Sequence, residues 1–292
     1  MFVHGLTGNR ETTWTHSNGT YWPRDLLPQA LPTARIITFG YDANVVRIWD
    51  TASSNGLYDH GKSLEFQLSR IRKRGSRNPI LFIAHSLGGL VCEQALLRSD
   101  ASREAHSIIN NTGGIIFMGT PHYGSSLASW GSFLTTFSSN FRATNREIVA
   151  TLDRGATDLR RIGEEFQQML LRSDINMQII CFYEELQMPV VGKIVKSESA
   201  VLRGYKSCSI NADHRNMTKF AGDADNGFVL VRATLDSWIE SLQADVDGAR
   251  PVEVDERPII ASPGFRNYGS VSAKNVLQDL QIGGGTNTWN FN

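Results

Sequence analysis

The sequence predicts an α/β domain built on a mostly parallel sheet with helices on both faces. Three observations carry that prediction. Short apolar runs, rich in β-branched and aromatic residues, recur along the chain between turn residues. Stretches with apolar residues at helical spacing lie between those runs. One of the runs passes through a serine into a helical pattern, the context that a nucleophile elbow requires.

Taken in order, residues 1–3 read as the stub of a strand entered part-way, so the sequence predicts that more chain precedes it. Residues 34–41 (ARIITFGY), 79–85 (PILFIAH), 114–119 (GIIFMG) and 176–183 (NMQIICFY) read as buried strands. Residues 205–210 (YKSCSI) give a weaker fifth pattern. Leu57, Leu64, Leu68 and Ile71 share one helical face that stops at Gly75. Leu90 to Leu97 forms a second helix, and Val231, Leu235, Trp238 and Leu242 form the last. Near-continuous apolar strands alternating with amphipathic helices indicate a sheet buried on both sides.

Residues 126–174 break the alternation. Ile148, Leu152, Leu159, Ile162, Phe166, Met169 and Leu170 keep helical spacing with no strand between them. Trp130, Phe133, Phe137 and Phe141, three to four residues apart, would line one helical face with rings. The reading is a helical cap over a site, with extra core packing as the alternative. Residues 244–264 carry Pro251, Pro258 and Pro263 in a linker-like stretch. Residues 264–292 hold five Gly, five Asn and only three charged residues, a composition that cannot build a core of its own. The expected division is a domain over residues 1–243, followed by a linker and polar tail over residues 244–292.

Charge and cysteine usage narrow the function. Lys+Arg and Asp+Glu are both 29, so no overall electrostatic pull toward nucleic acid is expected. The densest basic run, Arg70, Arg72, Lys73, Arg74 and Arg77, falls where cations complement a helix C-terminus. Cys92, Cys181 and Cys208 are far apart and form no CxxC pair, so neither a metal site nor a disulfide framework is expected. They read as small buried thiols in a reducing, intracellular and cytoplasmic setting. No apolar run approaches the ~18 residues of a membrane-spanning helix, and no signal peptide precedes the first motif. No phosphate-binding glycine loop with its lysine occurs, and no cofactor is expected.

The sharpest chemical signal is Ala84-His85-Ser86-Leu87-Gly88-Gly89, between a strand and a helix. A serine on such a turn projects its Oγ above the sheet, and small residues around it let strand and helix approach. Ala84 stands where glycine is usual, an addition of one methyl. His4-Gly5-Leu6-Thr7-Gly8 follows the first strand, where this architecture draws one oxyanion-hole N–H. The expected donors are the backbone amides of Leu6 and Leu87.

A serine nucleophile needs a base, and the chain order for this architecture is serine, acid, histidine. His4 and His85 lie inside the motifs and read as structural. His16 and His60 precede Ser86, His106 sits in a polar connection, and His122 reads as shaping a loop. His214, after the last predicted strand and before the last helix, is the expected base. Glu184, just past residues 176–183, is the first choice for the acid, with Glu185 and Glu198 as rivals. Asp213 is too close to His214 in sequence for the usual geometry.

These residues also carry a family resemblance. His4-Gly5-Leu6-Thr7-Gly8, Trp14, Trp22-Pro23, Phe39-Gly40-Tyr41, His85-Ser86-Leu87-Gly88-Gly89, Gly119-Thr120-Pro121-His122, Phe182-Tyr183-Glu184, Glu198-Ser199-Ala200 and Asp213-His214 occur in order over residues 1–243. The run resembles the serine active site-containing protein family, which belongs with the serine esterases of lipase-like α/β-hydrolase fold. The resemblance implies a Ser–Glu–His hydrolase related to lipases and to phospholipid-remodelling proteins. By position, Ser86, Glu184 and His214 take the three roles. It further implies an ester or lipid substrate, peripheral membrane contact, and association with mitochondrial or endoplasmic-reticulum membranes. Fungal relatives carry the module at the N-terminus of immune-receptor-like proteins, so a downstream domain is an expected partner. The reading from another class is an effector or interaction module in which hydrolysis is incidental or lost, because a hydrolase-like fold alone does not establish activity.

Overall fold

A computed structural model of the chain describes residues 1–6, 8–43, 56–72, 78–102, 108–122, 146–188, 193, 195, 197–247 and 265–267. Its strands are β1 (Phe2–Val3), β2 (Ile37–Phe39), β3 (Ile80–His85), β4 (Thr112–Met118), β5 (Gln178–Glu184), β6 (Lys206–Ile210) and β7 (Phe265–Asn267). They form one seven-stranded sheet in the order β6-β5-β4-β3-β1-β2-β7. Every pairing is parallel except β2 with β7, which is antiparallel. Parallel neighbours need crossover connections, and the helices supply them.

Those helices are α1 (Trp22–Asp25), α2 (Leu27–Ala30), α3 (Gly56–Ile71), α4 (Leu87–Ser102), α5 (Arg146–Leu170), α6 (Ser197–Ala200) and α7 (Asn226–Asp247). Two cores result, one on each face of the sheet. On one face, Leu57, Leu64, Leu68 and Ile71 of α3 and the apolar side of α4 pack under Phe82, Ile115, Phe117 and Cys181. The other face holds Phe228, Val231, Leu235 and Trp238 of α7 against Ile83, Ile116, Met118 and Phe182. Phe2, Trp14 and Trp22 complete that second core, with ring centroids 4.9–6.1 Å apart in edge-on pairs. The sheet is therefore covered on both sides, as the strand pattern predicts.

Several boundaries differ from the sequence expectation. Strand β2 is shorter than residues 34–41, because the Ala34 N–H closes a turn onto the Leu31 carbonyl. Strand β4 starts earlier, at Thr112, after a short 3₁₀ turn over Ile109–Asn111. The tail contributes an edge strand: β7 lies beside β2 in the register Ile37↔Asn267, Thr38↔Arg266, Phe39↔Phe265. A segment with no core of its own can still pair where a sheet edge offers unpaired backbone groups.

Within the insertion over residues 126–174, the described part is α5 and the turn that follows it. Leu159, Ile162, Phe166, Met169 and Leu170 of α5 are buried in the same core as α3 and α4. Phe166 meets the Phe117 ring edge-on at 6.2 Å. These described side chains of α5 belong to the core beneath the sheet. Trp130, Phe133, Phe137 and Phe141 lie outside the described residues.

Candidate active site

The parallel strands bring β1, β3, β4 and β5 side by side, so the loops after their C-terminal ends meet. Ser86 sits in the single-residue turn between β3 and α4 with φ of 54°. It is the one non-glycine residue with positive φ among the described residues. An L-residue pays about 1–3 kcal/mol for such a conformation, which persists only where the surroundings enforce it. Here the Ser86 N–H donates to the Met118 carbonyl at 2.9 Å, and the Gly89 N–H to the Ser86 carbonyl at 3.0 Å. Ser86 immediately precedes the first residue of α4. Its Oγ is buried and has no hydrogen-bond partner among the described residues.

The loop after β1 presses directly on this serine. A Cβ added at Gly5 would lie 2.7 Å from Ser86 Cβ and 2.8 Å from the His85 carbonyl oxygen. Only glycine lets the backbone come this near. The loop's orientation is held by a reciprocal clamp between His4 and Tyr41. The Tyr41 N–H donates to His4 Nε2 at 3.3 Å, and the Tyr41 O–H donates to the His4 carbonyl at 2.7 Å. The two rings stack with centroids 4.4 Å apart and planes 9° from parallel. Because Nε2 accepts, Nδ1 carries the proton and donates to the Gly5 carbonyl at 3.1 Å. Burial lowers the His4 pKa to about 4, which keeps the ring neutral and this tautomer in place.

Tying the Gly5 carbonyl back onto His4 lets the next amide, that of Leu6, point elsewhere. The Leu6 N–H meets no backbone acceptor among the described residues. Leu87 is the first residue of α4, where a helix leaves its N–H without an intrahelical acceptor. Both residues are buried.

His214, from the loop beyond β6, meets Glu184, the last residue of β5. His214 Nδ1 and Glu184 Oε2 are 2.5 Å apart, and each side chain is 1% exposed. The carboxylate accepts from Nδ1–H, which leaves Nε2 as the basic nitrogen of the ring. The second carboxylate oxygen, Oε1, accepts the Val195 N–H at 3.1 Å. Glu185 is exposed, and its N–H is used in a backbone bond to the Ile210 carbonyl at 3.0 Å. Glu198 lies in α6, and its side chain is outside the described residues.

Gly119 connects the two halves of the site. It follows Met118, the residue whose carbonyl holds the Ser86 N–H. At φ 60° it is left-handed, and a Cβ there would lie 2.9 Å from His214 Nδ1 and Cε1. The imidazole therefore rests on the bare α-carbon of the residue beside the serine's backbone acceptor. Close by, the His85 ring lies 4.9 Å from that of His214, and His85 Nε2 meets the His214 carbonyl at 2.9 Å.

A second carboxylate–histidine pair is buried deeper. His122 Nδ1 is 3.0 Å from Glu93 Oε1, and Cys181 Sγ lies 3.6 Å from His122 Nε2. Both side chains of the pair are fully buried. Burial opposes charge on His122, but the Cys181 sulfur and the Glu93 carboxylate more than offset it, and the pKa is raised to about 9. The His122 backbone N–H donates to the Ser199 carbonyl at 2.6 Å. The expectation of a loop-shaping His122 fits this arrangement. Glu93 was not singled out by sequence; its signal was a carboxylate, next to Gln94, inside the mostly apolar run Leu90 to Leu97. Among the described residues no group of three or more His, Cys, Asp or Glu side chains could hold a metal ion. Among the same residues no helix is long and apolar enough to cross a membrane.

The strand order, the elbow after β3 and the loops gathered at the strand C-terminal ends are those of an α/β-hydrolase. Residues 1–181 match the family described as "Putative serine esterase (DUF676)". The chain belongs to that family. It is also similar to Protein SERAC1 of Mus musculus, 27% identical over 273 residues, which cover 85% of this chain and 39% of that protein. Protein SERAC1 of Homo sapiens is 27% identical over 245 residues, covering 75% of this chain and 36% of the relative. The chain thus spans well under half the length of the curated relatives it matches. Among solved structures, a soluble variant of monoglyceride lipase from Saccharomyces cerevisiae aligns with a TM-score of 0.43 at 14% identity. That alignment covers 82% of this chain and 85% of the lipase. A point mutant of tomato methylketone synthase I aligns with a TM-score of 0.46 at 12% identity, covering 82% of this chain and 97% of the synthase. The fold is that of an α/β-hydrolase, and the description of the family is that of a serine esterase.

Proposed function

We propose that residues 1–243 form a carboxylic-ester hydrolase in which Ser86 is the nucleophile, His214 the general base and Glu184 the acid that orients it. The observation that carries this reading is the buried 2.5 Å contact between His214 Nδ1 and Glu184 Oε2, set beside a strained serine on a strand-to-helix turn. In the reaction, Ser86 Oγ attacks the ester carbonyl carbon while its proton passes to His214 Nε2. The carbonyl π electrons move onto oxygen, and the oxyanion accepts from the Leu6 and Leu87 N–H groups. Collapse expels the alkoxide, which takes the proton from the imidazolium and leaves an acyl-Ser86. Water, deprotonated by the same Nε2, then releases the acid and restores the serine.

Each N–H of such a hole is worth about 2.7–4 kcal/mol in the transition state, so the His4–Tyr41 clamp serves rate as well as fold. Glu184 holds the tautomer and stabilises the imidazolium that forms. The substrate class is an ester or lipid, and a downstream domain is the proposed partner of this domain, whose sheet takes its edge strand β7 from Phe265–Asn267.

The test is labelling with a fluorophosphonate, followed by mass-spectrometric mapping of the adduct. The adduct is expected on Ser86, and Ser86→Ala is expected to abolish both labelling and hydrolysis of p-nitrophenyl esters. Full labelling on another serine would overturn the assignment.

A further inference from the structure

We propose that His85, the residue immediately before the candidate nucleophile, is a positioning residue that holds the base-bearing loop in register with Ser86. This inference rests on the assignment of Ser86 and His214 made above.

Several contacts secure the loop around His214, but they act elsewhere along it. Asp213 Oδ1 accepts the Arg215 and Asn216 N–H groups at 2.9 and 3.0 Å and closes the local turn. Further on, the Trp22 indole N–H donates to the Thr218 carbonyl at 2.8 Å, and Thr218 Oγ1 donates to the Thr13 carbonyl at 2.7 Å. Glu184 fixes the ring of His214, which a side-chain torsion separates from the main chain. The bond from His85 reaches the His214 main chain itself, 2.9 Å from Nε2 to the carbonyl oxygen.

The chemistry of that bond is unambiguous. A carbonyl can only accept, so His85 Nε2 must carry the proton. Burial, and then the neighbouring His214 ring, hold the His85 pKa well below the ordinary histidine value, so the ring stays neutral. The donor arm is rigid as well. His85 ends β3, paired in register with Met118, and its ring stands edge-on to Trp14 at 6.5 Å. Movement of the elbow is thereby transmitted to the base, and the distance between Ser86 and His214 is set through their immediate backbone neighbours. A misplacement of about 1 Å at a reacting centre can cost about 100-fold in rate.

The experiment compares the whole chain with His85→Leu and His85→Gln, reading the fluorophosphonate labelling rate at Ser86 and the kcat and KM for a p-nitrophenyl ester. Loss of the donor in His85→Leu is expected to lower kcat and labelling by about 100-fold, with KM changed less than about 2-fold. His85→Gln, whose carboxamide N–H can reach the same carbonyl, is expected to recover most of that loss. In a His214→Ala background, His85→Leu should add nothing, since no base remains to be positioned. An unchanged kcat in His85→Leu, a loss confined to KM, or an additive double variant would overturn the inference. If His85→Leu does not fold, the unaltered protein still decides the matter. With ¹⁵N-histidine labelling, His85 should show a protected Nε2–H that persists as pH is varied. A Nδ1–H tautomer, or a ring that titrates near the ordinary value, would overturn the inference. Ser86→Ala run alongside separates the two failures: labelling that survives it defeats the nucleophile assignment, whereas the tautomer of His85 is read without any turnover.

Discussion

Glu184 Oε2 and His214 Nδ1 are 2.5 Å apart, in a setting where both side chains are 1% exposed. A charge-assisted bond of this length between buried groups depends on which atom carries the proton. Glu184→Gln keeps shape but lets the amide donate, which favours the wrong tautomer of His214. It is expected to lower kcat by about 10⁴-fold with the fold intact. Glu185→Gln alters an exposed side chain and should leave kcat within about 2-fold, as surface substitutions away from such contacts usually do. Steady-state kinetics on the two variants check the ranking, and a larger loss in Glu185→Gln would transfer the role.

Ser86 combines a positive φ with a buried hydroxyl that has no partner among the described residues. Both features cost stability, so removing them should raise it. Ser86→Ala deletes the hydroxyl but keeps the strained backbone, and Ser86→Gly removes the strain too. Strain relief of about 1–3 kcal/mol, less about 0.5–1 kcal/mol for glycine entropy, leaves a net gain. Differential scanning calorimetry should rank Tm as Ser86→Gly above Ser86→Ala above the unaltered protein. Increments of about 2–4 °C correspond to each kcal/mol in a domain of this size. A Ser86→Gly variant that melts below the unaltered protein would show that the elbow stores no strain.

The central strands were legible because burial on both faces leaves near-continuous apolar runs, as in residues 79–85 and 176–183. Strand β7 was not, since edge pairing uses backbone groups and imposes little on side chains. In the site, the elbow around Ser86 was legible because close approach of strand and helix demands small residues at short spacing, whereas the pressure of Gly5 on Ser86 joins two separate loops and was not. Glu184 and His214 could be ranked from chain order, but their contact could not be read directly. The roles of Tyr41, His85 and Glu93 were hidden for a different reason. Tyr41 reaches His4 across 37 residues, and His85 reaches His214 across 129. Such pairings are created by the sheet order and leave no local pattern.

Tyr41 tests how much the loop proposed to supply an oxyanion N–H depends on its clamp. Tyr41→Phe keeps the ring stacked on His4 but removes the O–H that satisfies the buried His4 carbonyl. An acceptor left unsatisfied in this way costs about 1–3 kcal/mol. The variant should be destabilised by that order in urea unfolding. It should also bind a trifluoromethyl-ketone transition-state analogue less tightly by more than it loses affinity for a ground-state ester. Equal weakening of both ligands would show that the clamp supports the fold and leaves the N–H groups of the hole unaffected.

The buried Glu93–His122 pair predicts an alkaline limit to stability. Its histidine is raised from the ordinary 6.5 to about 9, against the penalty of burial, by the Cys181 sulfur and the Glu93 carboxylate. Burial also raises the Glu93 carboxyl above its ordinary value, with the His122 hydrogen bond acting in the opposite direction. The folded protein therefore binds more protons at this pair than the unfolded chain does. Stability falls with rising pH wherever that holds. The contribution of His122 is fully present below pH 6.5 and is lost as pH climbs through about 9. His122→Gln removes the titrating group while retaining a donor for Glu93. Urea unfolding at several pH values between about 6 and about 10 should show the unaltered protein losing stability across that window, while the variant changes less. A difference between the two that stays constant with pH would mean that His122 is neutral in the folded protein, and that Glu93 holds it by an ordinary hydrogen bond.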